Sequence, residues 1–180
     1  MTISIRQATH SDIEKIKGIE EAMYGVSYTI ETFTKCLQVF PQGFMVAEKQ
    51  LGDNEKLIVG FVATERLCSA KAIPYAHDPQ KFHDSSGKVL YLSGFGVVLP
   101  YQKEDVGLLL YKALIDLSES LGIEIFEVLC NEKDPEDQYE MSILRRLNFS
   151  KGEVYDWEVF PGKIKPHMAW ILRIRSRAGQ

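Results

Sequence analysis

The sequence has few of the features that are typical of secreted proteins, membrane proteins or proteins with structural zinc sites. Its three cysteines are scattered at positions 36, 68 and 130, with neither zinc-ligand spacing nor an even-numbered disulfide framework. No apolar run approaches the roughly 20 residues that a membrane-spanning helix needs. Residues 1–5 lack the charged start and apolar run of a secretory signal. We therefore expect a cytoplasmic protein with free thiols and no membrane partner.

The chain also has fewer basic residues than acidic residues. The 21 Lys and Arg residues face 25 Asp and Glu residues, and the net charge of −4 disfavours nucleic acid as a partner. The chain shows no internal repeat and no low-complexity tract. The 45% hydrophobic content is ordinary for a globular protein, and the length suits one domain, so we expect residues 1–180 to form a single domain.

Hydrophobic periodicity predicts that strands and helices alternate along the chain. The first helix follows a capping-box pattern that begins at Thr9 and ends before Gly25. The strands are predicted at residues 2–6, 43–49, 56–65, 89–99, 123–129, 154–160 and 167–175, and the helices at residues 13–24, 30–40, 106–121 and 135–147.

The predicted elements indicate an α/β (α+β) fold with a mixed sheet of about seven strands and about four helices. Residues 43–65 read as an antiparallel hairpin around Gly52-Asp53-Asn54. Residues 89–129 read as a β-α-β unit with two parallel strands. The turn-rich segment at residues 69–88 is either a functional loop or mobile surface, and we expect its histidines, His77 and His83, to be solvated.

The transition from the most apolar strand to the strongest helix is the distinctive segment. The first N–H groups of a helix have no internal acceptor, and the helix dipole adds positive charge there. Such an end can hold a phosphate, and Gly107 in the first turn would let a ligand approach the backbone closely. The same pattern also suits a simple connection between a strand and a helix.

Four short motifs, together with the order of elements, resemble the GNAT superfamily of acyl-CoA-dependent N-acetyltransferases. They are the strand end Val98-Leu99-Pro100, the loop Gln102-Lys103-Glu104-Asp105-Val106-Gly107, Asn131 after the next strand, and Leu147-Asn148-Phe149. The resemblance covers nearly the whole chain. It implies transfer of an acetyl group from acetyl-CoA to a primary amine of an unidentified small molecule or protein.

The resemblance also implies where coenzyme A binds. The two central parallel strands would splay apart, backbone groups of Val97 and Val98 would pair with the pantetheine amides, and the N–H groups of residues 103–108 would hold the pyrophosphate. No metal is implied, and the protein would be a monomer or a homodimer. The expected cofactor contacts are Gly96, Val97, Val98, Gln102, Lys103, Glu104, Asp105, Val106, Gly107, Leu108 and Asn131.

The loop departs from the family pattern at Asp105, where a glycine is usual. We expect the Asp105 carboxylate to cap the helix that follows and so to compete with the pyrophosphate for the same donors. Glu104 adds a second negative charge, which Lys103 would partly offset. These features favour, as an alternative function, a catalytically weak or inactive acyl-CoA-binding module.

The catalytic residues are less clearly marked. Leu144 stands where the family often has a tyrosine that protonates the leaving thiolate, so Tyr139 on the same predicted helix is the candidate acid. The candidate bases near strand ends are Tyr91 and Glu65, with Ser93 and Glu127 as further possibilities, and each of these residues also suits a packing or solvated role. A third hypothesis is an unrelated α/β interaction domain with no cofactor, which would have an intact sheet with no splay after Val98.

Overall fold

A computed structural model describes residues 2–53, 55–69, 73–74, 76–160 and 162–174 of the chain. Four sequence predictions touch positions outside these ranges. They concern Asn54 in the hairpin turn, residues 70–72 and 75 of the turn-rich segment, Pro161 between the last two strands, and Arg175 at the end of the last strand.

Seven strands form one mixed sheet in the order β1-β2-β3-β4-β5-β7-β6. The strands are β1 Ile3–Gln7, β2 Phe44–Gln50, β3 Lys56–Leu67, β4 Val89–Val97, β5 Ile125–Cys130, β6 Ser150–Phe160 and β7 Lys163–Arg173. The helices are α1 Ile13–Tyr24, α2 Ile30–Val39, α3 Pro79–Phe82, α4 Val106–Ser120 and α5 Gln138–Arg146, with 3-10 helices at His10–Asp12, Pro41–Gly43, Leu99–Glu104 and Pro135–Asp137.

These elements confirm the predicted fold class and most of the predicted segments. The capping box at Thr9 and Asp12 is present, and α1 ends at Gly25, which takes the left-handed conformation with φ 72°. β2 and β3 pair antiparallel and β4 and β5 pair parallel, as predicted. The last two strands are longer than predicted, and β7 inserts between β5 and β6. Within the described ranges, no helix combines the length and apolarity needed to cross a membrane.

The helices cover both faces of the sheet. On one face, α1 and α2 pack over a cluster that includes Phe33 and Phe61. On the other face, α4 and α5 pack over a larger cluster that includes Leu110, Phe126 and Leu144. Leu144 is fully buried, so the position at which the family often has a tyrosine is a core position in this chain.

β4 and β5 begin as parallel neighbours and then separate. Their register ends with Tyr91 opposite Glu127, although β4 continues to Val97 and β5 to Cys130. β4 stays paired with β3 along this stretch, with a bulge at Ser93, and a bulge bends the strand that carries it. The predicted splay is therefore confirmed, and the hypothesis of an intact sheet is wrong. We call the opening beyond Tyr91 and Glu127 the fork.

Candidate functional site

A cavity of about 250 Å³ lies in the fork. Residues 91–95 of β4 form one wall, and Val128 and Leu129 of β5 form the opposite wall. The C-terminal half of α1, the start of α5 and residues of β6 and β7 close the sides. The cavity is thus built from the two strands that the fold forces apart.

The cavity lining is rich in carboxylates. Two lysines, Lys163 and Lys165, also line it, so negative charge prevails. An enclosed site with one prevailing sign of charge concentrates ligands of the opposite sign, and this cavity therefore favours a cationic ligand. The five lining carboxylates are those of Glu20, Asp134, Glu136, Asp137 and Glu140.

Glu20 enters the cavity from α1. Its side-chain atom Oε2 accepts hydrogen bonds from the Ser27 hydroxyl and from the Tyr28 backbone N–H, both at 2.8 Å. Burial raises the pKa of Glu20 to about 7, because removal from water disfavours the charged form more than these two donors favour it.

Glu140 and Asp137 enter from the opposite side. Glu140 accepts a hydrogen bond from the Tyr111 hydroxyl on one oxygen and from the Cys130 thiol on the other, and burial raises its pKa to about 8. Asp137 accepts a hydrogen bond from the Asn131 backbone N–H at 2.6 Å, and burial raises its pKa to about 6. Groups with pKa values near neutrality can exchange protons at physiological pH.

Sequence reasoning missed these carboxylates, although a signal was present. Glu20 follows Ile16 by four residues and Ile13 by seven, which places it on the buried face of α1. Glu140 precedes Leu144 by four residues in the same way. A carboxylate at a core position of an amphipathic helix is uncommon without a specific role.

Of the four candidate bases from the sequence, the structure brings Tyr91 and Ser93 to the cavity. Tyr91 lines the cavity but is only 2% exposed, and its hydroxyl accepts a hydrogen bond from the Ile73 backbone N–H. Burial raises the pKa of Tyr91 far above its usual range, which keeps its hydroxyl protonated and unable to act as a base. Glu65 is fully buried outside the cavity lining and hydrogen bonds to His77 at 2.7 Å.

This pairing corrects the expectation of a solvated loop histidine, since His77 is 7% exposed. The segment between β3 and β4 is attached at Ile73 to two residues that line the cavity. The backbone N–H of Ile73 donates to Tyr91, and its carbonyl oxygen accepts a hydrogen bond from the Trp157 indole. The described part of this segment therefore supports the cavity lining from outside it.

Tyr139 lies between the cavity and the start of α4. Its hydroxyl oxygen accepts a hydrogen bond from the Gly107 N–H at 3.2 Å, and its ring stacks on Phe95 with centroids 6.0 Å apart. A Cβ on Gly107 would lie 2.5 Å from Ile143 Cδ1 and 2.8 Å from the Tyr139 hydroxyl. Gly107 therefore permits the close approach of α5, whereas the sequence suggested the approach of a ligand.

The segment that leads into α4, residues 99–107, differs from its prediction. Residues 99–104 form a 3-10 helix, and Asp105 follows with φ 58° and ψ 19°. This left-handed conformation explains why the family pattern has glycine here, and Asp is one of the few other residues that adopt it readily. Val106 is fully buried, whereas Lys103, Glu104 and Asp105 are exposed.

The expected capping by Asp105 is wrong. Its carboxylate makes no capping hydrogen bond to α4 and instead binds Arg146 at 2.6 Å. Arg146 lowers the pKa of Asp105 by this hydrogen bond. Glu104 is paired with Lys49 at 2.7 Å, and not with Lys103 as expected. Both loop carboxylates thus have a cation beside them.

At the end of β4, the backbone groups of Val97 and Val98 have different partners. The Val97 N–H contacts the Met23 sulfur at 3.0 Å, and its carbonyl oxygen accepts a hydrogen bond from the Gln102 side chain at 3.3 Å. The Val98 N–H instead donates to Val59 of β3 at 2.9 Å. Val97 therefore presents its backbone to the fork, and the expectation that the Val98 N–H is available to a ligand is wrong.

Gly96, Leu108 and Asn131 were also expected to contact the cofactor, and each lies in a different environment. Gly96 pairs with Phe61 of β3, and Leu108 is half-buried in the first turn of α4. Asn131 organises the turn after β5, because its side chain donates to Asp134 and accepts from the Lys133 N–H.

One cluster in the cavity has the composition of a metal site. The ligand atoms of Asp134, Asp137 and His167 lie within 4.8 Å of one another. However, the Lys165 ammonium group binds both oxygens of Asp134, at 2.9 and 2.7 Å. A lysine thus already supplies the positive charge at this cluster, and we assign no metal to it.

No family model and no curated protein matches the sequence. Solved structures do match. Ard1 from Thermoplasma volcanium has a TM-score of 0.75 and 13% identity over 98% of this chain and 100% of its own. The yncA protein from Salmonella typhimurium, solved with its cofactor acetyl-CoA, has a TM-score of 0.69 and 14% identity over 99% and 98%.

A third match is the GphF GNAT-like decarboxylase in complex with isobutyryl-CoA, with a TM-score of 0.71 and 18% identity over 96% and 100% of the two chains. At such identities the likeness is one of fold. It extends over almost every residue of each chain. The chain has the fold of the GNAT acetyltransferases.

Proposed function

We propose that the protein transfers an acetyl group from acetyl-CoA to a primary amine of a small molecule or protein. The observation that carries the proposal is the fork cavity, in which buried carboxylates with pKa values near neutrality lie beside the open edge of β4. A cationic amine needs such an environment to bind and to lose a proton.

The fork suits the pantetheine arm of coenzyme A. The Val97 N–H and carbonyl groups lie on the open edge of β4 and are held by a methionine sulfur and a glutamine amide. A methionine sulfur is a weak acceptor, so an amide can replace it at little cost. Two of the matched structures hold acetyl-CoA and isobutyryl-CoA. Bound coenzyme A would supply the activated acyl group.

The start of α4 suits the pyrophosphate. The Gly107 N–H donates to Tyr139, so the phosphates would be held by the other first-turn N–H groups and the helix dipole, and Lys49 and Arg146 place two cations beside the segment. Each cation can exchange a carboxylate partner for a phosphate oxygen. The paired state of Glu104 and Asp105 thus weakens the argument for an inactive binding module that their negative charge suggested.

Tyr139 is placed to protonate the leaving thiolate. Its oxygen accepts a hydrogen bond from Gly107, so its own hydrogen remains available to donate. Burial raises the pKa of Tyr139, which keeps the hydroxyl protonated. This supports the role that Tyr139 was given from the sequence, although Leu144 occupies the usual position.

The likeness to a GNAT-like decarboxylase does not carry a second function here. An acyl-CoA that loses carbon dioxide brings a carboxylate into the cavity. That group would meet five carboxylates and two lysines, and the repulsion between like charges opposes its binding.

Release of free thiol from acetyl-CoA, measured across a panel of primary amines and amine-bearing peptides, tests the proposal. We expect amine-dependent release, an amide product by mass spectrometry, and a preference for acceptors without carboxylates. N-acetylated forms of the same amines are the matched controls. Binding of acetyl-CoA without turnover of any amine would instead establish a binding module.

A further inference from the structure

Glu20 is held in a defined orientation at the cavity wall. Ser27 and Tyr28, which lie in the turn after α1, both donate to the Oε2 atom. The other oxygen, Oε1, lies over β4, where a Cβ on Gly94 would be 3.5 Å from it. Oε1 makes no hydrogen bond with the described residues, so one oxygen fixes the carboxylate and the other faces the cavity.

We propose that Glu20 is the general base that deprotonates the acceptor ammonium, an assignment that rests on the proposed function. Glu20 stands above the part of β4 that runs towards Val97, where the pantetheine arm would end. An amine between Glu20 and the thioester would therefore contact both.

The other cavity carboxylates are less suited to this role. Glu140 uses both of its oxygens to accept from Tyr111 and Cys130. Asp134 is neutralised by Lys165. Asp137 accepts from the Asn131 backbone, and a shift of this residue would disrupt the turn after β5. Glu20 differs from these carboxylates because two donors fix one of its oxygens, while the other makes no hydrogen bond with the described residues.

The titratable groups around Glu20 affect how readily it gains or loses a proton. Burial raises its pKa to about 7, and Lys17 on the same helix opposes part of that shift. Tyr24, Tyr28 and Cys36 interact with its charge from α1, from the turn and from α2. The titratable and charged groups that line the rest of the cavity are Tyr91, Asp134, Glu136, Asp137, Glu140, Lys163, Lys165 and His167.

The reaction balances with a single base. The Glu20 carboxylate takes one proton from the ammonium group and later releases it to solvent. The neutral nitrogen forms a bond to the thioester carbon, and the carbon–sulfur bond then breaks with its electron pair on sulfur. The second proton of the nitrogen is lost as the thiolate gains one. The products are an amide, free coenzyme A and one proton.

The test compares Glu20→Gln with Glu21→Gln, which makes the same change on the next residue of α1, at an exposed position. With an amine that the wild type acetylates, we expect E20Q to lower kcat/KM by about a hundredfold or more and E21Q to leave it unchanged. The affinity for acetyl-CoA should be the same in both variants, because Glu20 does not contact the cofactor's phosphates.

The pH profile provides a second readout. The wild-type kcat/KM should rise with pH up to about 7 and then level off, as Glu20 loses its proton. Ser27→Ala removes one of the donors that favour the charged form, so the rise should move to higher pH, whatever the plateau rate becomes once the carboxylate loses this orienting contact. This variant keeps the carboxylate and serves equally if E20Q does not fold.

The outcomes separate the two proposals. If the wild type acetylates no amine, the proposed function fails. If the wild type is active while E20Q keeps its rate, or S27A keeps the wild-type pH profile, then Glu20 is not the base although the proposed function stands.

Discussion

Carboxylates at the two ends of the fork have opposite electrostatic properties. At the start of α4, Asp105 is exposed and paired with Arg146, which lowers its pKa. Within the cavity, Glu20 and Glu140 are buried and have no cation at hydrogen-bond distance among the described residues, and burial raises their pKa values. The same type of side chain is thus fixed as an anion at one end and poised to accept a proton at the other.

The comparison shows why a count of charges misjudges this protein. The acidic residues before α4 suggested a poor phosphate site, yet each has a cation that a phosphate could also bind. The acidic residues of the cavity are buried, and burial makes their protonation depend on pH near neutrality. Environment, and not residue type, therefore separates the end that we propose for the cofactor's phosphates from the end that we propose for catalysis.

The largest effect is expected at Tyr139, which connects the two ends. Tyr139→Phe keeps the ring that stacks on Phe95 and removes the hydroxyl that binds Gly107. If the hydroxyl protonates the leaving thiolate, kcat should fall by about a hundredfold, while the thermal stability changes little. Steady-state kinetics with acetyl-CoA and an accepted amine measure this effect.

The matched control is Tyr155→Phe, which removes a hydroxyl from a tyrosine of β6 that is also half-buried. It should leave kcat unchanged. A wild-type kcat in Y139F would show that Tyr139 is a packing residue and that the thiolate leaves without its help.

An intermediate effect is expected on stability at the base of the fork. Glu127 is fully buried, neither of its oxygens has a hydrogen-bond partner in the described chain, and burial raises its pKa to about 7. A raised pKa in the folded state favours folding at low pH, and this contribution is lost as the pH rises from about 4.5 through 7. Glu127→Gln should therefore be more stable than the wild type at pH 8 by about 2 kcal/mol, after allowance for solvent screening.

Chemical denaturation at pH 5 and pH 8 measures this difference, which should fall to about a quarter at the lower pH. The control is Glu124→Gln, an exposed glutamate just before β5. Equal stabilities of E127Q and the wild type at both values of pH would mean that the Glu127 carboxylate is solvated in the folded protein.

The smallest effect is expected at the start of α4. Asp105→Asn removes a negative charge and releases Arg146, and Asn also tolerates a positive φ. The dissociation constant of acetyl-CoA should fall about threefold to fivefold, and high salt should reduce this gain because the groups are exposed. Calorimetric titration measures the change.

Asp116→Asn, which makes the same change at an exposed position further along α4, should have no effect on the affinity. Weaker binding in D105N would show that the pair with Arg146 organises the start of α4, and that the cation does not move to the cofactor.

Periodicity predicted most of the fold because the elements that bury one face obey simple spacing rules. The strands from β1 to β5 and the four longer helices fall within a few residues of their predicted bounds. The position of β7 between β5 and β6 could not be predicted in this way, since spacing within a strand does not specify its neighbours. The splay between β4 and β5 was predicted from the family resemblance, because no local sequence pattern indicates it.

The candidate site was less predictable because its groups come from elements far apart in the chain. The spacing of Glu20 and Glu140 places both carboxylates on buried helix faces. That both line one cavity depends on how α1 and α5 are arranged around the fork, which the spacing does not specify. The partners of Asp105 and Glu104 lie 41 and 55 residues away, so a sequence reading suggested capping by the nearest donors. Glu65 and Tyr91 were placed correctly near strand ends, where pairing with His77 and Ile73 occupies them.

The central claim is that the thioester of coenzyme A enters the fork between β4 and β5. Backbone amide NMR during titration with acetyl-CoA tests it most directly. The account predicts the largest shifts at residues 95–97, at residues 129–131 and in the first turn of α4, together with slower exchange of the Val97 N–H as it gains a stronger acceptor. Shifts confined to other surfaces, or no shifts at saturating acetyl-CoA, would contradict it.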